Sequence, residues 1–172
     1  LKKSFISMNN WKIDHPLVNF SKVLEDFKYL DNDSVIPSEN LIYASDDSLK
    51  ITQIFSNFIN LKKHILPKDI FRAIQIRESN IQDQKYYMLI IKLYIQNTSY
   101  QQVWNNLEDE LIIYLNNNFK SSKLTSVYKQ MTDCNIQNTN KDEFLLIYHD
   151  SDMIQKIDNL YFRISPGAFF QV

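Results

Sequence analysis

Cys134 is the one thiol in this 172-residue chain, and a thiolate there could act as a nucleophile. No neighbouring pattern activates it, so an inert filler or loop residue is the plainer reading. His149 precedes Asp150 in "LLIYHD", which suggests a base but reads more simply as a strand ending at a polar turn. His15, His64 and His149 are far apart and lack the i, i+4 spacing or Cys-x-x-Cys company of metal sites, so no metal is expected. Lys62, Lys63, His64 and Lys68, together with Arg72 and Arg77, form a basic cluster that could meet an RNA backbone. Its bland alternative is a solvated helix end whose positive charges suit the C-terminal dipole. Gly167 is the only glycine. Phosphate and cofactor loops need several, because backbone must approach the ligand closely and often takes positive φ. A Walker loop, a dinucleotide fingerprint and the glycine-rich turn of a methyltransferase nucleotide fold are therefore excluded within these residues.

The elements that must hold these groups are legible from periodicity. In the first 43 residues, Pro16 followed by Leu17, Phe20, Val23, Leu24 and Phe27 gives helical spacing that an Asp/Asn/Ser stretch then breaks. "SDDSLKITQIFSNFINL" carries two acids after Ser45 and an apolar stripe of Ile51, Ile54, Phe55, Phe58 and Ile59, which predicts a helix over about 46–62. Beyond Pro67 the period becomes two. Ile70, Ile74 and Ile76 alternate with polar neighbours, and Tyr87, Leu89, Ile91, Leu93 and Ile95 share one face, predicting an antiparallel pair turning between Ser79 and Gln84. Ser99 and Gln102 stand in capping-box spacing ahead of Val103, Trp104, Leu107, Leu111, Tyr114 and Leu115, the helix with the strongest pattern. Runs at 124–131, 144–149 and 160–164 read as further strands. The fold class is α+β: a mostly antiparallel sheet with two or three helices packed on one face.

Length allows one domain with a substantial core. An apolar share of 44% with 23% charge, and 11 Phe, 10 Tyr and 2 Trp, argue for a folded globular chain. The formal charge of −1 offers no global electrostatic footprint for phosphate, so any basic surface is local. One cysteine excludes an internal disulfide and fits a reducing compartment. No apolar run approaches the ~18 residues of a membrane span. The chain opens on Leu1 and closes in an apolar run, so both ends are expected to be cut.

Ser165-Pro166-Gly167-Ala168 suits a type II turn, with proline fixing φ and glycine supplying positive φ. In its context, "FRISPGAFFQV", it resembles the entry to the catalytic domain of the RNA 5-methyluridine methyltransferases, the tRNA (uracil-5-)-methyltransferase family and its ribosomal-RNA relatives, where Ser-Pro-x-x-Phe-x-Gln-x-Asn recurs. The matching positions are Ser165, Pro166, Phe169 and Gln171. "SENLIYASDDSLKITQIFSNFI" and "IYHDSDMIQKIDNLYFRIS" are similar to the family's central domain, more loosely. The resemblance implies three parts: a poorly defined segment 1–37, a central α+β domain 38–161, and the start of a truncated catalytic domain at 162–172, with the Rossmann-like cofactor domain absent.

Its implied chemistry is methyl transfer from S-adenosyl-L-methionine to carbon 5 of uridine in RNA, most simply tRNA. A thiolate adds to the neighbouring ring carbon of a base swung out of its stack. By the resemblance, Phe169 would contact the base or RNA strand and Gln171 would contact the cofactor. Without it, Phe169 would be a core strand residue and Gln171 an exposed one. The family's nucleophile lies in an Asp-Pro-Pro-Arg context, and no Asp-Pro occurs here, so Cys134 does not inherit that role. No catalytic residue is assigned to this chain, which is expected to be inactive alone. An intracellular protein, cytoplasmic or nuclear, monomeric and without membrane or metal, completes the expectation. The alternatives are a non-catalytic RNA-binding module and a protein-interaction domain.

Overall fold

A computed structural model describes residues 2–7, 45–67, 70–95, 98–120, 123–133 and 143–168. In chain order these form β1 (Lys2–Ser7), α1 (Asp46–Lys62), β2 (Phe71–Ile81), β3 (Gln84–Ile95), α2 (Thr98–Asn118), β4 (Lys123–Asp133), β5 (Phe144–His149), β6 (Ile154–Ile157) and β7 (Leu160–Arg163). The first helix follows from its capping chemistry. The Ser45 side chain accepts the Ser48 amide at 3.2 Å, Asp46 and Asp47 sit in the positive first turn, and Lys62 sits in the last. The helix suggested around Leu17 to Phe27 lies outside the described residues.

Strands β1 to β5 make one sheet in sequence order, and β6–β7 form a separate hairpin. All neighbours in the large sheet are antiparallel except β3 and β4. That parallel pair requires a crossover, and α2 provides it. The protein is thus an α+β domain, with a βαβ unit inside a mostly antiparallel sheet. The β2–β3 loop is the two-residue pair Gln82-Asp83, both at positive φ (50° and 66°), the geometry that matches strand twist. Asp tolerates that region and Gln does not advertise it, so the sequence located the turn only loosely.

Both helices cover one face. Ile51, Phe55, Phe58 and Ile59 of α1 and Trp104, Leu107, Leu111 and Leu115 of α2 share a buried cluster with Ile74, Ile76, Tyr87, Leu89, Ile91 and Leu93. Phe71 is its hinge point, meeting Phe55 edge-on at 5.6 Å and Trp104 at 5.3 Å between ring centroids. Lys129 of β4 reaches into the same side, where its ammonium donates to Glu108 at 2.5 Å and Asn105 at 2.8 Å on α2. A buried ammonium that meets its carboxylate fixes where α2 lies on the sheet. The α2 start differs from expectation by two residues: the helix begins at Thr98, so Ser99 stands in the first turn instead of capping it.

Candidate functional site

The opposite face of the sheet is built differently. Pleating puts Gln75, Arg77 and Ser79 of β2 there, beside Met88 and Ile90 of β3 and Ser126, Tyr128 and Gln130 of β4. A register shift between Tyr87 and Met88 in the β3–β4 ladder brings Ser126 opposite Met88. Polar alternation of this kind ordinarily means a solvated face, yet Gln75, Arg77, Ser79, Ser126 and Gln130 are all buried. The β6–β7 hairpin and the segment after it lie over this face, where Met153 and Ile164 pack on Met88 and Ile90. Several polar atoms on it have no hydrogen-bond partner among the described residues, including Gln75 Nε2, Arg77 Nε, Ser126 Oγ and Gln130 Oε1.

Arg77 is the strongest feature of this face. Only 3% of it is exposed, and Nη1 donates to the Ser165 carbonyl at 2.7 Å. Burial pulls its pKa below the ordinary arginine value, and among the described residues no carboxylate pairs with it. The group it holds is the first residue of the Ser165–Ala168 turn, which is closed by the Ala168 amide donating to Ser165 O at 3.2 Å. The Ile164 amide donates to Met153 O at 2.8 Å, so the chain is fixed on both sides of Ser165.

The type II geometry expected for this turn is not found, because Gly167 does not adopt positive φ. What glycine gives there is space. A Cβ at Gly167 would stand 3.1 Å from Cε2 of Phe144, closer than side chains ordinarily approach. Pro166 and Gly167 therefore let the turn close under an aromatic ring at the start of β5.

Beside the turn is a cavity of about 260 Å³. Met88, Ser126 and Tyr128 of the sheet line it, opposite Met153, Ile164 and Ser165, with His149, Asp152 and Arg163 also in its wall. Asp152 joins His149 to Arg163, accepting from Arg163 Nη2 at 3.0 Å and lying 3.3 Å from His149 Nε2. His149 thus meets a carboxylate, but not the adjacent one suggested by the sequence. Asp150 is engaged by Lys123 at 2.9 Å; the hydrogen bond from that ammonium holds the carboxyl below its usual range and raises the Lys123 pKa.

The basic cluster is dispersed. Lys62 pairs with Glu110 across the helices, Lys63 and His64 are exposed at the end of α1, and Arg77 is buried on the far face of the sheet. Lys68, the Arg72 side chain, Cys134, Phe169 and Gln171 lie outside the described positions. Among the described residues no group of three or more His, Cys, Asp or Glu could hold a metal, and no helix is long and apolar enough to cross a membrane. Compared with protein-family models and with curated proteins, the chain matches none.

Sequence reasoning did not find Ser126, Tyr128 or the anchoring role of Arg77. The signal was in β3, where Met88 and Ile90 are as apolar as Leu89 and Ile91 on the helix side. A strand apolar on both faces is covered on both, and its polar neighbours are then buried too.

Proposed function

We propose that this chain is part of an S-adenosylmethionine-dependent RNA methyltransferase that modifies carbon 5 of uridine, with tRNA as its substrate. The described domain presents RNA and sets the path of the chain into a catalytic region whose nucleophile and cofactor loop are not among these residues. One observation carries the reading: a buried guanidinium and an aromatic ring together fix the Ser-Pro-Gly-Ala turn that immediately precedes Phe169 and Gln171. A turn restrained this firmly is what a protein needs if the two residues after it must reach a base and a methyl donor. Phe169 then contacts RNA and Gln171 contacts S-adenosylmethionine.

The described residues do not themselves fit the cofactor. They lack a glycine-rich loop, and a cavity of about 260 Å³ falls below the ~300–1,000 Å³ of sites for drug-sized ligands. No step of methyl transfer is therefore assigned to them, and the 172 residues alone are inactive in this reading.

A protein-interaction module is the second reading, favoured by Leu160 and Tyr161 of β7, which are 64% and 59% exposed. Filter binding of tRNA across a salt series separates the two. The methyltransferase reading requires affinity that falls log-linearly with salt as phosphate contacts release counterions. Absence of tRNA binding at low salt overturns it in favour of the interaction module.

A further inference from the structure

We propose that the cavity between the β3–β4 part of the sheet and the segment around Ser165 is a subsite for one unstacked nucleotide of an RNA strand, resting on the RNA-binding reading above. Its size admits a single nucleoside-sized group. At about 260 Å³ it is too large for an ion and below the range of cofactor pockets. Its walls supply the three contacts that recognition of a lone base uses. Tyr128, partly buried, packs at the edge of the Met88–Ile164 cluster and offers a ring to stack on. Met88, 1% exposed, gives an apolar floor.

Ser126 carries the argument furthest. It is 1% exposed, it lines the cavity, and its Oγ has no hydrogen-bond partner among the described residues. A buried hydroxyl left unmatched costs stability, and a ligand edge carrying both donors and acceptors removes that cost. A hydroxyl both donates and accepts, as the edge of a nucleobase does.

Charge at the rim argues for a base-led site and against a simple anion site. Arg163 is the lining cation, its side chain 77% exposed, and Asp152 already offsets it at 3.0 Å. A phosphate gains little from a guanidinium so neutralised, whereas stacking and hydrogen bonding inside the cavity are unaffected. The 5′-phosphate of the bound nucleotide therefore remains at the mouth, where Arg163 touches it weakly.

The test is a titration of the folded 172-residue chain with uridine 5′-monophosphate, followed by methyl signals of Met88 and Met153 in NMR spectra, with inorganic phosphate as a parallel probe. Uridine monophosphate shifts both methionines saturably, and inorganic phosphate neither shifts nor displaces it. Ser126→Ala weakens binding by about fivefold, the loss of one hydrogen bond. It leaves the denaturation midpoint equal or higher, since it deletes an unmatched polar atom, and general damage to the fold would do the reverse. Tyr128→Leu weakens binding at least about fivefold, the lower end for loss of stacking. Arg163→Gln changes it less than about twofold.

Absence of methionine shifts, displacement by inorganic phosphate, or Ser126→Ala binding as tightly as the parent overturns the subsite. Salt-dependent tRNA binding without uridine monophosphate binding removes the subsite while leaving the methyltransferase reading. Uridine monophosphate binding without tRNA binding keeps the subsite and removes that reading.

Discussion

Replacing Arg77 with methionine tests whether the guanidinium is what holds the turn in place. Methionine fills much of the same volume and keeps the apolar stem against the sheet, but it cannot donate to the Ser165 carbonyl, the 2.7 Å contact of the parent protein. A hydrogen bond from a charged donor is worth about 1.5–3 kcal/mol. Globally, that loss is offset, because a guanidinium 3% exposed with no carboxylate partner among the described residues is costly to bury and an apolar replacement removes the cost. The midpoint of urea unfolding should therefore move little, by about 1 kcal/mol or less in either direction.

Locally there is no such offset. Opening of the 164–168 segment becomes easier by the full contact, and at 1.4 kcal/mol per decade its amide exchange accelerates about 10- to 150-fold. Native-state hydrogen exchange followed residue by residue reads this directly. The Ile164 amide, which donates to Met153 O at 2.8 Å, should speed up by that factor while those of Leu89 and Ile91 stay within a few-fold of the parent. Equal acceleration everywhere would mean that Arg77 serves the whole fold. An unchanged Ile164 would mean that the guanidinium does not restrain the turn, and either result refutes the reasoning.

Three further outcomes follow from the geometry. Lys129→Ala leaves Glu108 without its ammonium beneath α2, and since that carboxylate retains some exposure (15%), denaturant unfolding should show a loss of about 2–4 kcal/mol, while Lys129→Met with Glu108→Gln recovers most of it. Gly167→Ala brings a Cβ to 3.1 Å from Phe144 without any conflict of φ, so its cost should shrink when Phe144 is also alanine, with a coupling of about 0.5–1.5 kcal/mol in a double-mutant cycle; strict additivity would remove the steric account. The Tyr87 phenol is pushed up from its ordinary 10.0, first by burial and then by Glu78 and Asp47, against the hydrogen bond from Ser45. A pKa raised on folding gives stability that is intact below the unfolded value and lost as pH rises past it. The chain should hold its urea midpoint to about pH 10 and lose it above, and Tyr87→Phe should flatten that alkaline arm.

Much of the fold follows from periodicity. The α1 helix has the bounds its cap and stripe predict, and the odd-numbered residues of β3 face the helices as their alternation requires. What escaped was set by long-range pairing. Nothing local marks β4 as parallel to β3, since that depends on α2 carrying the chain back across the sheet. The four-residue strand β6 lacks enough turns of the pattern to stand out. At the turn, the sequence correctly singled out Gly167, but for the wrong reason. Ser-Pro-Gly-Ala specifies positive φ by convention, and the actual demand comes from Phe144, 23 residues earlier in the chain, which no local rule can see. The candidate cavity was illegible for a related cause: Ser126 and Arg77 look like solvated strand positions until the hairpin is laid over them.

The central claim is that the turn ending at Ala168 leads a uridine methyltransferase into its reaction centre. The protein encoded by the whole reading frame containing these residues should be incubated with S-adenosylmethionine and unmodified tRNA, and the RNA digested to nucleosides for mass spectrometry. The account predicts 5-methyluridine, reduced by Phe169→Ala through weaker RNA use and by Gln171→Ala through weaker cofactor use. Recovery of unmodified uridine alone, from a folded protein that binds its tRNA, would contradict it.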